Sequence, residues 1–234
     1  MFHLRERLLN AVKSAAARNG ILLERYEHLH RSGRLAMVRR VAEERTLLLS
    51  PGEACQLVAC LKATDRVVGD VAELGVAYGA SAKLLSTCLP PGKILALFDT
   101  FDGLPEASAA DGTRFSAGQF KSNVEYVRQY VGADRVHYYQ GLFPSTAEPL
   151  SNHLFSFVHL DADLYESTLA AFHFFYPRLS AGGIILCHDY PSASGVVKAL
   201  EEFFNDKPDP VIELTGYQVM IVKLSRADSA DLPS

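Results

Sequence analysis

A strand, a glycine-containing turn and a helix are encoded by residues 67–88, VVGDVAELGVAYGASAKLLSTC. A short apolar run leads into the turn at Gly75 and Gly79, and the following residues have helical periodicity. The alternation repeats, with further strands predicted over 93–98, 136–139, 155–160 and 183–187. Such alternation is typical of an α/β fold whose doubly wound, mostly parallel sheet is covered by helices on both faces.

The two ends of the chain differ from this central pattern. Strands at 211–214 and 217–223 flank Thr215-Gly216 and predict a C-terminal antiparallel hairpin. Apolar residues at helical spacing before residue 50 predict an N-terminal helical prefix. We therefore expect a helical segment over 1–64, a main domain over 65–225 that binds the cofactor, and a disordered tail over 226–234.

Composition narrows the function classes. The chain has 234 residues and a net charge of −4, which argues against a general nucleic-acid binder. Residues 1–50 have ten Lys and Arg against five Asp and Glu, so this part is basic. We expect it to pack on the domain or on a second subunit, which makes a homo-oligomer the favoured state; contact with a membrane surface or an acidic partner is the alternative. No run of about 18 apolar residues predicts a membrane span.

Cysteine usage and the first residues indicate the compartment. The four cysteines never form a C-x-x-C pair, and residues 1–7 lack the apolar region of a signal peptide. We therefore expect reduced thiols and a cytoplasmic enzyme.

The first turn indicates the kind of ligand, because ligands of such sheets bind outside the carboxyl ends of the strands. The spacing is E-x-G-x-x-x-G, not the G-x-G-x-x-G of dinucleotide sites. A carboxylate here would repel a pyrophosphate and suits the ammonium and sulfonium charges of S-adenosylmethionine. A plain strand-to-helix turn is the alternative. The candidate cofactor-binding residues in this turn are Glu73, Gly75, Tyr78, Gly79 and Ser81.

The second turn offers a ribose-binding acid. Asp99 closes the strand predicted at 93–98, and one carboxylate can accept hydrogen bonds from both ribose hydroxyls. The alternative is an Asp that caps the following turn. Thr100 and Phe101 complete this candidate cofactor-binding segment. Both NAD and S-adenosylmethionine contain ribose, so this turn does not distinguish between them.

Acidic residues follow two strands that we expect to be neighbours. Asp161 follows the strand at 155–160, and Asp189 follows the strand at 183–187. Neighbouring strands lie about 4.8 Å apart, so both carboxylates can reach one ion. Oxygen ligands suit Mg²⁺ or Mn²⁺. His188 is a softer ligand, and its participation would favour Mn²⁺ or another transition metal.

Other chemistry-bearing residues have simpler interpretations. Asp163, with Glu166 three residues later, is typical of a helix cap. His159, within a buried strand, is predicted to be a paired core histidine. Cys187 and His188 point to opposite faces of their strand, which argues against a thiol mechanism. The G-x-S-x-G and P-loop motifs do not occur. Residues 106–119 are either a mobile lid or an ordinary loop.

Several motifs occur together between Gly69 and Phe204. They are GDVAELGV at 69–76, FDTFDGLP at 98–105, GLF at 141–143, LDADLYEST at 160–168, YPRLSAGG at 176–183 and DY at 189–190. Together they resemble the macrocin O-methyltransferase family of S-adenosylmethionine-dependent enzymes. The resemblance implies a seven-stranded Rossmann-like methyltransferase fold and Mg²⁺-assisted methyl transfer to a hydroxyl, usually on a sugar of a natural product.

The resemblance also implies residue roles. Asp161 and Asp189 would bind the metal, with His188 standing where the family often has Asp. Asp163 would be the general base, with His188 as the alternative base if it binds no metal. Glu73, Gly75 and Asp99 would hold the cofactor, and Gly141 belongs to the matching G-x-F turn.

The leading function is therefore a metal-dependent O-methyltransferase acting on a hydroxylated, glycosylated small molecule. A nicotinamide-dependent oxidoreductase on a similar sheet is a second possibility, and a non-catalytic cofactor-binding module is a third.

Overall fold

A computed structural model describes Val12 and residues 33–224. The predictions for the remainder of residues 1–32 and for the tail lie outside the described residues. The helices are α1 (Arg34–Glu44), α2 (Pro51–Ala63), α3 (Ala80–Thr87), α4 (Val124–Val131), α5 (Tyr165–Phe175) and α6 (Ser194–Phe204). The strands are β1 (Asp70–Leu74), β2 (Leu95–Asp99), β3 (Val136–Gln140), β4 (Phe155–Leu160), β5 (Leu179–His188), β6 (Val211–Glu213) and β7 (Gln218–Val222). Short 3₁₀ helices cover Ser145–Leu150 and Tyr176–Arg178.

The strands form one seven-stranded sheet in the order β3-β2-β1-β4-β5-β7-β6. Strands β1 to β5 are parallel, and β7 is antiparallel to both β5 and β6. The predicted doubly wound α/β sheet with a C-terminal hairpin is confirmed. The strand order reverses between β1 and β4, and such a switch point is where ligands bind in open α/β sheets.

Apolar side chains cover both faces of the sheet. One core packs the four helices α1, α2, α3 and α4 against one face of the sheet, through residues such as Leu57, Leu84 and Phe157. The other joins α5 and α6 with the opposite face, through residues such as Phe172 and Leu200. Helices α1 and α2, which precede residue 65, thus share a core with the sheet.

Strand β1 begins three residues later than the apolar run predicts. Val68 is 71% exposed, and Gly69 has φ +109° with its backbone close to the Leu154 carbonyl. The buried Lys93 ammonium donates hydrogen bonds to the Thr64 and Val67 carbonyls, which holds this segment as a turn. Because the Lys93 side chain satisfies the Thr64 and Val67 carbonyl groups, pairing of β1 with its neighbouring strands starts only at Asp70.

Candidate functional site

The described residues form a cavity of about 380 Å³ at the carboxyl ends of the parallel strands. This volume lies in the range of small-molecule sites. Among the predicted residues, eight line it: Gly75, Asp99, Thr100, Gly141, Asp161, Asp163, His188 and Asp189.

Five predicted cofactor-binding residues lie outside the described lining of this cavity. They are Glu73, Tyr78, Gly79, Ser81 and Phe101. Glu73 and His159 are both completely buried, and Glu73 Oε1 lies 2.8 Å from His159 Nδ1. Burial raises the pKa of Glu73. In the structure Glu73 forms an internal pair with His159, which is the paired core histidine that the sequence predicts. Contact of Glu73 with a cationic ligand stays a prediction.

The glycines of the first turn are required by the fold itself. Gly75 has φ +90°, and a Cβ there would overlap the Asp161 carbonyl oxygen at the end of β4. Gly79 has φ +86°, and a Cβ there would lie 2.8 Å from Val127 Cγ1 on α4. The backbone at Gly75 thus comes close to a neighbouring strand, whereas the sequence suggested a close approach to a ligand. Gly75 also borders the cavity.

Asp99 ties the first two turns together. Its Oδ2 accepts hydrogen bonds from the Val76 and Ala77 N–H groups at 2.7 and 2.8 Å. Its Oδ1 accepts from the Phe101 N–H at 2.6 Å. The turn-capping alternative therefore holds in the structure. The ribose-binding role stays a prediction, since Asp99 also lines the cavity.

Strands β4 and β5 bring Asp161, His188 and Asp189 together. One potential metal-ligand atom of each residue lies within 4.8 Å of the corresponding atoms of the other two residues. His188 Nδ1 is 3.1 Å from Asp161 Oδ1 and 3.4 Å from Asp189 Oδ2. Asp189 has φ +65°, in the left-handed region that non-glycine residues rarely adopt. Parallel pairing of β4 with β5 thus produces the convergence that the sequence predicts.

Charge is concentrated at this cluster. Burial alone would lower the pKa of His188, but the carboxylates of Asp161, Asp189 and Glu53 outweigh burial and raise it. Burial, the charge of Asp161 and a hydrogen bond with Asp189 raise the pKa of Asp163 well above its usual range. Burial would raise the pKa of Asp189, but the nearby His188 imidazole and the Asp163 carboxyl hold this pKa low.

The donor set fits a divalent cation. Within the described part of the chain, neither ring nitrogen of the buried His188 makes a well-aligned hydrogen bond, although carboxylate oxygens lie close to both nitrogens. Unsatisfied buried polar atoms are uncommon and call for a partner. Two carboxylates and one imidazole within a few ångströms supply both charge and ligand atoms for such a partner.

Asp163 does not cap the helix that follows it. Helix α5 has Leu164 as its N-cap and receives no side-chain cap from it. The Tyr165 N–H instead donates to Oδ1 of Asp111 at 2.6 Å. Asp163 has φ +62° and lines the cavity. The capping interpretation of Asp163 is therefore wrong, and its carboxyl remains available for chemistry.

Asp111 also anchors the loop at 104–119. Its Oδ2 accepts hydrogen bonds from both the N–H and the hydroxyl of Ser108. The loop ends are joined by the Leu104 N–H to the Gln119 carbonyl. Arg114 and other loop residues line the cavity, and Arg114 Nη2 lies 3.6 Å from Asp189 Oδ1. This loop is a wall of the site.

A model of the macrocin-O-methyltransferase (TylF) family matches residues 54–220. The chain belongs to this family. The family prediction from the sequence motifs is thereby confirmed.

Two curated relatives come from Streptomyces. The 8-demethyl-8-(2,3-dimethoxy-alpha-L-rhamnosyl)-tetracenomycin-C 4'-O-methyltransferase of Streptomyces olivaceus is 27% identical over 176 residues, 65% of each chain. The demethyldecarbamoylnovobiocin O-methyltransferase of Streptomyces niveus is 26% identical over 155 residues, 59% of each chain. The matches thus span 65% and 59% of the length of these relatives.

Solved methyltransferase structures share the fold of this family member. The O-methyltransferase NovP superposes with a TM-score of 0.66 at 22% identity, covering 76% of this chain and 82% of NovP. The calicheamicin methyltransferase CalS11 gives 0.65 at 17% identity, covering 87% and 95%. An O-methyltransferase from Bacillus cereus in complex with SAH gives 0.53 at 18% identity, covering 91% and 97%. The predicted Rossmann-like methyltransferase fold is confirmed.

Several cavity residues of this family member come from distant segments that the sequence motifs did not indicate. Glu53 is the most consequential, because its Oε1 lies 3.6 Å from His188 Nε2. A signal was present, since Ser50, Pro51 and Glu53 form a capping-box start for α2. That signal predicts the helix but says nothing about His188, 135 positions away along the chain.

Among the described residues, no helix combines the length and the apolar character needed to cross a membrane. The homo-oligomer, the cytoplasmic location and the division of the chain at residue 65 stay predictions.

Proposed function

We propose that the chain is an S-adenosylmethionine-dependent O-methyltransferase assisted by a divalent metal. Its acceptor is a hydroxyl of a sugar or another polyhydroxylated small molecule. The supporting observation is that one cavity is bordered by both the Gly75 turn and the Asp161–His188–Asp189 cluster. Family membership supports methyl transfer to oxygen. The Streptomyces olivaceus relative is named for a rhamnosyl-bearing tetracenomycin, which supports a glycosylated acceptor.

The methyl donor is assigned to the part of the cavity formed by the first two turns. Gly75, Asp99, Thr100 and Gly141 border that part. Asp99 fixes the backbone of both turns through three hydrogen bonds, so the walls are ordered before a ligand arrives. Orienting two reactants in this way can supply roughly 7–11 kcal/mol of a reaction barrier.

The metal is assigned to Asp161, His188 and Asp189. When bound, a divalent cation lowers the pKa of a hydroxyl that coordinates it. The three residues hold fixed positions because β4 and β5 pair in register up to Leu160 and Cys187.

Asp163 is assigned as the general base. It lines the same cavity, and burial together with the charge of Asp161 raises its pKa, which makes its deprotonated form a better proton acceptor. A positioned base typically contributes roughly 10²–10⁴-fold to the rate. His188 is the alternative base only if it does not bind the metal.

Two measurements test the proposal. S-adenosylhomocysteine should raise the melting temperature of the full chain and NAD should not, because only a ligand of the native state stabilises it. Incubation with S-adenosylmethionine, Mg²⁺ or Mn²⁺ and a panel of glycosides should yield a product heavier by one methyl group. Stabilisation by NAD alone would favour the oxidoreductase, and cofactor binding without transfer to any acceptor would favour the non-catalytic module.

A further inference from the structure

The His188 ring lies between carboxylates on two sides. Nδ1 faces Asp161 and Asp189 at 3.1 and 3.4 Å. Nε2 faces Glu53 Oε1 at 3.6 Å, and both side chains are largely buried. Strand alternation directs Cys187 to the opposite core, so the ring of His188 points to the face that α2 covers. Nδ1 therefore faces the two carboxylates at the ends of β4 and β5, and Nε2 faces the carboxylate on α2.

Glu53 is held in place independently of the ring. Its Oε2 accepts the Ser50 N–H at 2.8 Å, and its Oε1 accepts the Tyr217 N–H at 2.7 Å. Gly216 packs against the same carboxylate so closely that a Cβ there would lie 2.5 Å from Oε1. Backbone donors at the start of α2 and in the β6–β7 turn therefore fix the Glu53 carboxylate in place.

We propose that Glu53 is a positioning residue that holds His188 with Nδ1 toward Asp161 and Asp189, so that the site prefers Mn²⁺ over Mg²⁺. The inference rests on the proposed function, because it assumes that these three residues bind a metal. A ligating histidine usually donates its other N–H to a carboxylate, which fixes the ring and increases its basicity as a ligand.

The present separation leaves room for this hydrogen bond to form. At 3.6 Å the contact between Nε2 and Oε1 is longer than a hydrogen bond, and a shift of about 0.6 Å brings it to the usual length. Within the described residues, Glu53 Oε1 is the acidic oxygen that Nε2 faces. A cation at Nδ1 would leave Nε2 carrying the proton, directed at Glu53.

The metal preference follows from the ligand types. Imidazole nitrogen binds first-row transition ions well, whereas Mg²⁺ prefers oxygen and keeps several of its waters. Mg²⁺ can therefore replace a misoriented imidazole by water at little cost. Mn²⁺ binds imidazole nitrogen more tightly than Mg²⁺ does, so the same replacement by water costs Mn²⁺ more binding free energy, and a change at Glu53 should affect Mn²⁺ binding more than Mg²⁺ binding.

A purely structural role for Glu53 can be separated from positioning. Gln56, also on α2, donates a hydrogen bond to the Thr215 carbonyl at 2.9 Å and joins the same helix to the same turn. The side-chain hydrogen bonds of Gln56 are with Thr215. Gln56→Ala should therefore weaken the attachment of α2 to the β6–β7 turn without altering the orientation of the His188 ring. It serves as the matched control.

The test measures binding of Mn²⁺ and Mg²⁺ to the full chain by calorimetry. We expect the wild type to bind Mn²⁺ at least about tenfold more tightly than Mg²⁺. Glu53→Gln should weaken Mn²⁺ binding by about tenfold, the lower end of the usual effect of such partners, with a smaller change for Mg²⁺. Glu53→Ala should reduce the preference further, and Gln56→Ala should leave it unchanged.

Electron spin echo spectra of bound Mn²⁺ supply a second readout. We expect nitrogen coupling from His188 in the wild type and its loss in His188→Asp. Mn²⁺ binding without nitrogen coupling, or a Glu53→Gln protein with the wild-type metal preference, overturns this inference and leaves the proposed function intact. Failure of the wild type to bind either ion overturns the proposed metal site itself. Glu53→Gln is the deciding variant, because it keeps the side-chain shape if Glu53→Ala does not fold.

Discussion

Replacing Asp99 by Asn separates the two interpretations of this residue. The Asp99 carboxylate accepts three backbone N–H groups, two on Oδ2 and one on Oδ1. Asn offers one acceptor oxygen, so its best orientation keeps the bonds from Val76 and Ala77 and turns its NH₂ toward the Phe101 N–H. Two charge-assisted bonds become neutral, and the third is replaced by two opposed donors.

The magnitude follows from that count. A hydrogen bond to a charged group contributes about 1.5–3 kcal/mol and a neutral one about 0.5–1.5 kcal/mol. Weakening two bonds by about 1 kcal/mol each and losing one of about 2 kcal/mol predicts a loss of about 4 kcal/mol in the free energy of unfolding.

Urea denaturation followed by circular dichroism measures this loss, and calorimetry measures S-adenosylhomocysteine affinity on the same samples. Asp102→Asn is the matched control, because the Asp102 side chain is 79% exposed and its ion pair among the described residues is with the exposed Lys121, at 3.3 Å. An Asp99→Asn protein as stable as the control would refute the anchoring argument. Weaker ligand binding at unchanged stability would assign Asp99 to the ribose alone.

Three further predictions concern neighbouring parts of the site. Asp163→Asn should lower turnover by roughly 10²–10⁴-fold, with S-adenosylhomocysteine affinity nearly unchanged in calorimetry; retained turnover would end the assignment of the base. Gly75→Ala should destabilise the chain by about 3 kcal/mol or more in urea denaturation, because φ is +90° and the Cβ overlaps the Asp161 carbonyl; wild-type stability would show that the turn can relax. Asp111→Ala should cost about 2 kcal/mol by removing the cap of Tyr165, and an unchanged melting temperature would contradict that role.

The local sequence pattern predicted secondary structure correctly where hydrophobic periodicity or turn-forming residues alone decided it. The alternation of apolar runs with helical periodicity predicted the sheet, and the residues around Thr215-Gly216 predicted the hairpin between β6 and β7. It was a poorer guide where side chains satisfy backbone groups at a distance. Lys93 bonds to the Val67 carbonyl, and this contact delays the start of β1 although Val67 and Val68 resemble strand residues.

The same distinction explains the acidic residues. Sequence position correctly placed Asp161 and Asp189 at one rim, because pairing of β4 with β5 is a direct consequence of the order of elements. It could not predict that Asp111, rather than Asp163, would cap α5, because both residues are plausible caps and only loop placement selects one. Nor could it show that Glu73 is turned into the core against His159.

The sequence by itself determined the α/β architecture, the family and the convergence of acids after β4 and β5. These depend on hydrophobic periodicity, on short motifs and on the order of strands and helices along the chain, all of which can be seen in the sequence. The tertiary structure alone decided which polar groups face the cavity and which face each other. A carboxylate at a strand end can bind a ligand, a backbone turn or a buried histidine, and the choice is made by whatever segment packs against it, as α2 does when it brings Glu53 to His188.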